Sequence, residues 1–431
     1  MDDHPYMMYS LVDQQIYETI EKRKPNPSFH DVVKNLLPAH WKLSIGGVWT
    51  NISQPGVDTP RFGWKIHLSC IRDQGKLTLE RAVPCLVEHG VDFKFLSDNY
   101  ILDLSLNKNW PRSQVGKFIT AYPRDKAQCQ QVATLLAGLT ADLSGPYILT
   151  DMPVDNSQVV HVRHGAFLQD FRIDRYGVRQ HGFHDDQGQW QTDERRPATD
   201  MNHTTWSQDQ PSTPTRHSQA RSDDPAGTEE HAVVIGGRYA IHKAFRYNGE
   251  GGIYHGIDTA TEQKIVLREI RRGINPRLGG KVMPEGYSIQ KEARLMQMAQ
   301  HTGLIPAYVD HFQEDGHWFL VQQRLLDTKT LWGHAMDIYF ALPPVTGRHL
   351  TLTLLPLFIK LARGLQKIHG CGVILRDLTR TNVLVTPEGN PCFIDLEFAH
   401  GIDEDSPWIH GWTPGFASPQ QRGDQSPSTS D

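Results

Sequence analysis

The chain has 431 residues, enough for about two to three domains with cores of their own, and its 44 basic and 49 acidic side chains leave a net charge of −5. That balance provides no global basic field for nucleic acid, and a mean hydropathy of −0.48 describes a polar chain. The 5 cysteines (Cys70, Cys85, Cys129, Cys371, Cys392) are scattered and form no CxxC, so neither a disulfide frame nor a zinc site is expected. The opening MDDHPYMMYS has no apolar signal-peptide core. The most apolar stretch, 350–365, is broken by Pro356, Lys360 and Arg363. A cytoplasmic protein that binds neither nucleic acid nor membrane is expected.

In chain order, Leu11, Ile16, Tyr17 and Ile20 stand at helical spacing between Ser10 and Arg23, and His30 to Leu37 predicts a second short helix. Strand-like segments follow around Trp49 and over Trp64–Leu68. Leu77 to His89 predicts a helix closed by Gly90. Val91–Leu96 and Gly116–Tyr122 alternate with a period of two, as half-buried strands do. Asp125 to Gly138 predicts a helix and Gln158–Arg163 a further strand. Residues 1–197 therefore read as one α+β domain. Residues 198–234 are rich in Ser, Thr, Gln, Asp and Pro and read as a flexible linker. A second domain spans 235–420, and 421–431 reads as a disordered tail.

The strands of the first domain carry cations. Lys65 and His67 share a strand face, Lys94 lies between Phe93 and Phe95, and Arg112, Lys117 and Arg163 occupy neighbouring short apolar frames. A lysine partly buried among aromatics is a candidate base, because burial disfavours its charged form. A histidine beside it can protonate a leaving group near neutral pH. Several cations converging on one point would clamp a phosphate dianion. Taken singly, each is equally a solvated strand-face charge.

In the second domain, Gly249, Gly251 and Gly252 lie between the strand-like runs Tyr239–Phe245 and Lys264–Ile270, where a glycine-rich hairpin would offer N–H groups to nucleotide phosphates. Glu292 falls on a predicted helix over Ile289–Gln300, placed to pair with a cation on the preceding strand. That cation is Arg268. Thr353 to His369 predicts a long helix leading into Arg376-Asp377-Leu378, then Asn382, then Ile394-Asp395-Leu396-Glu397. This is the order and spacing of a protein-kinase catalytic loop and its metal-binding aspartate. Asp377 would accept or orient the proton of an attacking hydroxyl, and Asn382 and Asp395 would hold Mg²⁺ against the phosphates of ATP or another nucleoside triphosphate.

The frames GWKIH at 63–67, DFKFL at 92–96, GKFITAYP at 116–123, Leu149-Thr150-Asp151 and VRHGAF at 162–167, with the kinase loop, IDLE and TPGFASP at 413–419, resemble the lyase and kinase portions of class III (or class IV) lanthipeptide synthetases. The resemblance implies a multidomain α+β chain: a phosphothreonine-lyase-like α+β domain, then a bilobal protein-kinase-like domain truncated in its C-lobe, with no LanC-like cyclase. It implies that Lys94 removes the Cα proton of a phosphoserine or phosphothreonine and that His67 protonates the departing phosphate. Lys65, Arg112, Lys117 and Arg163 would bind that phosphate, with Tyr122 near the reacting carbon. The implied partners are a precursor peptide and a separate cyclase or a chain completing the kinase lobe. Two departures stand out: the family usually has lysine where Arg268 stands, and it usually carries the cyclase and the rest of the kinase C-lobe; separately, Gln420 stands in place of the glutamate of an Ala-Pro-Glu-like segment end. A lyase with an inactive pseudokinase, a non-catalytic protein that binds leader peptide or a partner, and a generic signalling kinase are the alternatives.

Overall fold

The computed structural model describes residues 20–108, 110–168, 170–177, 179–185, 187–193, 233–274, 277–278, 281–341, 346–402, 413 and 415–416. The helix expected before Ile20, the linker up to His231 and Ala232, and the tail at 421–431 lie outside them. The chain divides into two compact units. The first takes in residues up to Gln219 together with Tyr247–Gly251 and Arg271–Ile274.

The first unit is built on a seven-stranded sheet. Its strands are β1 (Lys42–Ile45), β2 (Trp49–Ser53), β3 (Phe62–Leu68), β4 (Asp92–Leu96), β5 (Ile119–Tyr122), β6 (Met152–Pro153) and β7 (Val160–Ala166), in the order β1-β2-β4-β5-β3-β7-β6. The pairings are antiparallel, and their register decides which side chains share a face. Lys94 and His67 both pair with Thr120 across β4, β5 and β3, while Lys65 pairs with Arg163 across β3 and β7. Because side chains alternate along a strand, Lys65, His67, Lys94, Thr120, Tyr122 and Arg163 all stand on one face. Ile66, Leu68, Phe93, Phe95, Ile119, Ala121 and Val162 fall on the other and are buried.

That apolar face is covered by α1 (Ser28–Leu36), α2 (Gly75–Glu88) and α4 (Lys126–Leu139), with α3 (Asn99–Ser105) following β4. Asp98 and Asp125 cap α3 and α4, each accepting a hydrogen bond from a first-turn backbone N–H. Phe29 of α1 meets Phe118 edge to face, with centroids 5.4 Å apart. A separate three-stranded sheet follows: β8 (Asp170–Ile173), β9 (Arg179–His184) and β10 (Trp190–Thr192). Sequence periodicity gave no sign of it, because β8 is exposed along its whole length and has no buried face to pattern.

The second unit has a six-stranded antiparallel sheet in the order β11-β12-β13-β14-β18-β17. Its members are β11 (Val233–Ile235), β12 (Tyr239–Tyr247), β13 (Gly252–Asp258), β14 (Lys264–Ile270), β17 (Tyr308–Glu314) and β18 (His317–Gln323). Val233 and Val234, expected in the linker, already pair with β12. A two-residue-strand hairpin, β15 (Arg277–Leu278) and β16 (Lys281–Val282), precedes α5 (Tyr287–Ala299), which buries Ile289, Leu295 and Met296. Beyond lie β19 (Lys329–Thr330), α6 (Leu331–Tyr339), α7 (Gly347–Gly370), β20 (Val373–Ile374), β21 (Val383–Val385), β22 (Pro391–Phe393) and β23 (His400–Gly401). The hairpin expected around Pro387–Asn390 is β21 with β22. Along α7, Leu352, Leu355, Phe358 and Ile359 are exposed. Among the described residues no helix is long and apolar enough to cross a membrane.

Phe93 lies on the helix-covered face of β4 and is fully buried. Phe93→Ala should cost the first unit about 3–5 kcal/mol, read as a lower midpoint in chemical denaturation with the second unit's transition unmoved.

Candidate active sites

On the polar face of the first sheet, the cations are held around one carboxylate. His67 and Asp151 are in direct hydrogen-bonded contact through Nδ1, and both are buried. Lys117 donates to Thr150 Oγ1 at 3.1 Å and lies 3.4 Å from Asp151 Oδ1. Thr150 Oγ1 donates in turn to Asp151 Oδ1 at 2.5 Å. Burial alone would raise the Asp151 carboxyl, but Lys117 and His67 beside it hold it well below the usual carboxylate range. Burial pushes the His67 imidazolium down, and Asp151 only partly offsets this while Lys117 and Lys65 reinforce it. His67 is therefore neutral, donating Nδ1–H to an ionised Asp151 and leaving Nε2 as its acceptor. Asp151 was visible in the sequence only as part of a matched frame; nothing in its spacing marked it as the partner of His67.

Lys65 is buried and donates to the backbone oxygen of Ala166. Burial first, and then the Arg163 guanidinium, push its ammonium down to about 7. Arg163 contacts the carboxylate of Asp193, which follows β10. Lys94 is half-buried, with its Nζ 4.4 Å from the centre of the Trp49 ring. The lysine that sequence marked as the base thus stacks on an aromatic face, while burial beside a guanidinium acts on the Lys65 ammonium. Tyr122 packs on Phe167 at 5.1 Å, and burial raises its phenol. Arg112 stacks its guanidinium 4.0 Å over the Tyr247 ring. The sheet and its flanking loop therefore gather Lys65, His67, Lys94, Lys117, Tyr122 and Arg163, while the contact shown for Arg112 is with Tyr247.

The glycine-rich segment is closed on itself and on its surroundings in the first unit. Gly249 N–H donates to Lys108 O at 3.0 Å, and Glu250 and Gly251 N–H groups both donate to Asn248 Oδ1 at 2.9 Å. An added Cβ at Gly249 would come within 2.7 Å of Asn107 O and 2.8 Å of Trp110 O, so close backbone approach requires glycine there.

In the second unit, β21 and β22 present the loop groups. Asn382 Nδ2 donates to Asp377 Oδ2 at 2.8 Å and to Asp377 O at 3.1 Å, and Thr413 Oγ1 donates to Asp377 Oδ1 at 2.7 Å. Arg376 and Asp395 both adopt positive φ, 65° and 64°; held there only by their surroundings, such residues cluster at functional sites. Arg268 of β14 contacts Glu292 of α5, and its other terminal nitrogen lies 3.8 Å from Glu397. Burial raises the Glu292 carboxyl; Arg268 opposes this, and the nearby charges of Asp395 and Glu397 add to it. Kinases place lysine and glycine where this chain has Arg268 and Glu397, and here those two residues face one another. For a divalent cation the donor set fits: Asn382 spends its Nδ2 on Asp377 and keeps Oδ1 as an acceptor, and Asp395 adds a carboxylate. Mg²⁺ typically takes one or two protein ligands and keeps water and phosphate for the rest.

With this geometry in view, residues 29–224 match the family model described as RamC, N-terminal domain. The match agrees with the resemblance to lanthipeptide synthetases that the motifs carry. It is similar to the probable SapB synthase of Streptomyces coelicolor, 27% identical over 434 residues that cover 97% of this chain and 44% of that protein. It is also similar to serine/threonine-protein kinases: one from Myxococcus xanthus (25% identical, 44% of this chain, 22% of that protein) and serine/threonine-protein kinase 16 of the mouse (31%, 25% and 34%). The chain therefore spans less than half the length of these relatives.

The Lys65 ammonium, pushed down to about 7, supplies a pH test. Sulfate stays a dianion across the neutral range, so its affinity should fall as pH rises above 7, by up to about tenfold per pH unit as Lys65 loses its proton. Calorimetric titrations at pH 6–8.5 should show that fall, and it should vanish in Lys65→Met.

Proposed function

We propose that this chain is a peptide dehydratase of the lanthipeptide-synthetase kind, in which the first unit is a phosphothreonine-lyase-like domain and the second a protein-kinase-like one. The observation that carries the reading is the gathering of Lys65, His67, Lys94 and Arg163 on one sheet face, with Lys117 joined to His67 through a buried Asp151. β-Elimination of phosphate needs a base at Cα, an acid at the leaving oxygen and an anion clamp, and this face carries candidates for each.

In the proposed elimination, Lys65, Lys117 and Arg163 hold the phosphate of a phosphoserine or phosphothreonine, with Arg112 as a candidate fourth cation. Lys94, in its amine form, takes the Cα proton. The electron pair becomes the Cα–Cβ double bond, and the Cβ–O bond breaks to phosphate. His67, held through Nδ1 by Asp151, presents Nε2 to the leaving oxygen. In the empty clamp His67 is neutral. A bound dianion would offset Lys65 and Lys117 and favour the protonated imidazole that donation requires. Tyr122, placed next to Lys65 along the sheet, would border the reacting carbon. The products are dehydroalanine or dehydrobutyrine and phosphate.

In the second unit, Asp377, fixed by Asn382 and Thr413, would orient a peptide serine or threonine hydroxyl. Asn382 and Asp395 would hold Mg²⁺, which supplies charge neutralisation at the phosphates of a nucleoside triphosphate. Arg268, fixed by Glu292, would reach a phosphate oxygen, and Gly252, which opens β13, would border the nucleotide. The substrate would be a precursor peptide, with ring closure left to a cyclase. The relative named a SapB synthase supports a peptide substrate of this kind.

The test is mass spectrometry of a precursor peptide incubated with nucleotide and Mg²⁺. The unmodified chain should give losses of water, and Lys94→Ala should accumulate phosphopeptide with the dehydrated product reduced by about 10²-fold or more. Water loss that persists in Lys94→Ala would sink the assignment.

A second reading keeps the lyase alone, and specific observations favour it. The N–H groups of Gly249, Glu250 and Gly251 are already satisfied within the protein, and Arg268 stands in the lysine position, held by two carboxylates. Under that reading the chain eliminates phosphate from a synthetic phosphothreonine peptide without nucleotide, yet leaves unphosphorylated peptide untouched when nucleotide is supplied.

A further inference from the structure

Asp193 has no part in the elimination described above, yet its carboxylate sits on the clamp. It contacts Arg163 through Nη2, and the two side chains are 5% and 3% exposed, respectively. Its charge also reaches Lys65, where it opposes the downward push of burial and Arg163. The position is built. Asp193 N–H donates to His181 O at 2.9 Å, extending the β9–β10 ladder by one residue and delivering the carboxylate to Arg163. Gly165 leaves the space for it, since a Cβ at 165 would stand 2.6 Å from Asp193 Oδ1.

We propose that Asp193 is an internal counter-anion that occupies part of the phosphate clamp and is displaced by the phosphate of the substrate. The inference rests on the lyase reading for its substrate, but its core claim concerns anion binding to Lys65 and Arg163. A carboxylate carries one negative charge and a phosphate monoester up to two, so a dianion can outcompete it where a monoanion gains little. Asp193 thereby selects for the dianion. It also weakens the hold on the released phosphate, because the carboxylate returns to Arg163 as product leaves. The sheet that carries it can yield: β8 is exposed throughout, and Phe171, Ile173 and Tyr176 project into solvent.

A carboxylate whose task is to orient Arg163 for phosphate gives the opposite sign on removal, so the two roles separate cleanly. Inorganic phosphate is titrated calorimetrically into the whole chain and into Asp193→Asn, with thermal melting as the check on folding. The variant should bind phosphate about tenfold more tightly, equivalent to 1.4 kcal/mol, and product phosphate should inhibit it at lower concentration. Equal or weaker binding by a variant that melts normally overturns the proposal. Hydrogen exchange on the unmodified protein gives a reading that does not depend on the variant's folding. Saturating phosphate should speed exchange at the Asp193 amide as the residue leaves His181, and unchanged protection there also overturns the proposal. A synthetic phosphothreonine peptide is assayed alongside, without nucleotide. Absence of elimination by both proteins sinks the lyase reading, while the phosphate affinities still decide the role of Asp193.

Discussion

The buried contact between Asp151 and its two cationic or polar partners, His67 and Lys117, is what allows the polar face of the first sheet to exist. Lys65, His67, Lys117 and Arg163 are each no more than 8% exposed. Like charges about 4 Å apart repel by roughly 4 kcal/mol at an effective dielectric of 20, so an uncompensated cluster of this kind would not stay folded. Asp151 neutralises one end, around Lys117; Asp193 neutralises the other, at Arg163. Between them, burial first and then the neighbouring Arg163 guanidinium bring Lys65 to the point of giving up its proton near neutrality. The site is therefore held short of anionic charge, and in the proposed reaction a phosphate group would supply what burial has withheld.

The same constraint would order the proposed acid and base. A histidine between an ionised carboxylate and two ammonium groups responds to whichever charge is added next. Without a ligand, burial and the lysines win and His67 is neutral; with a dianion in the clamp, the balance moves toward the imidazolium. In the proposed elimination, protonation of the general acid would thus be coupled to the presence of the leaving group it serves. Lys94 stands in the same cross-strand row as His67, separated by Thr120, with its Nζ over Trp49. In the proposed elimination the two groups would approach the substrate from the strands on either side of β5, and their spacing is fixed by backbone pairing rather than by loop geometry.

Much of this was legible before the fold was known, and the reason is periodicity. In β3, β4 and β5, apolar residues alternate with Lys65, His67, Lys94 and Tyr122, so the strand pattern that marks the core also marks the face opposite it. The catalytic-loop spacing of Asp377, Asn382 and Asp395 was legible for a similar reason, since a short hairpin fixes those groups at constant sequence distances. What escaped were the long-range carboxylates. Asp151 lies 84 residues from His67, and Asp193 lies 30 from Arg163. Neither sits in a pattern that identifies its partner, and the β8–β10 sheet that delivers Asp193 has too little burial to leave a periodic trace. The glycine-rich segment escaped in another way. Its glycines were read as room for phosphate, but Gly249 is glycine because backbone oxygens of Asn107 and Trp110 press against it.

Arg268 and Glu397 belong together by the same logic of charge. An arginine in the lysine position carries more donors than Glu292 alone can satisfy, and a glutamate two residues after Asp395 brings a second carboxylate to 3.8 Å of its other terminal nitrogen. Replacing only Arg268 by lysine would shorten the reach toward Glu397 and leave that carboxylate beside Glu292, whose own carboxyl is already raised by burial and by its acidic neighbours. The substitution is thus no isolated loss of a lysine. It forms part of a local arrangement in which arginine holds α5 and the segment after Asp395 at once, trading a mobile point charge for a fixed planar one. Such an arrangement ties the segment after Asp395 to α5 and constrains how far Arg268 can move.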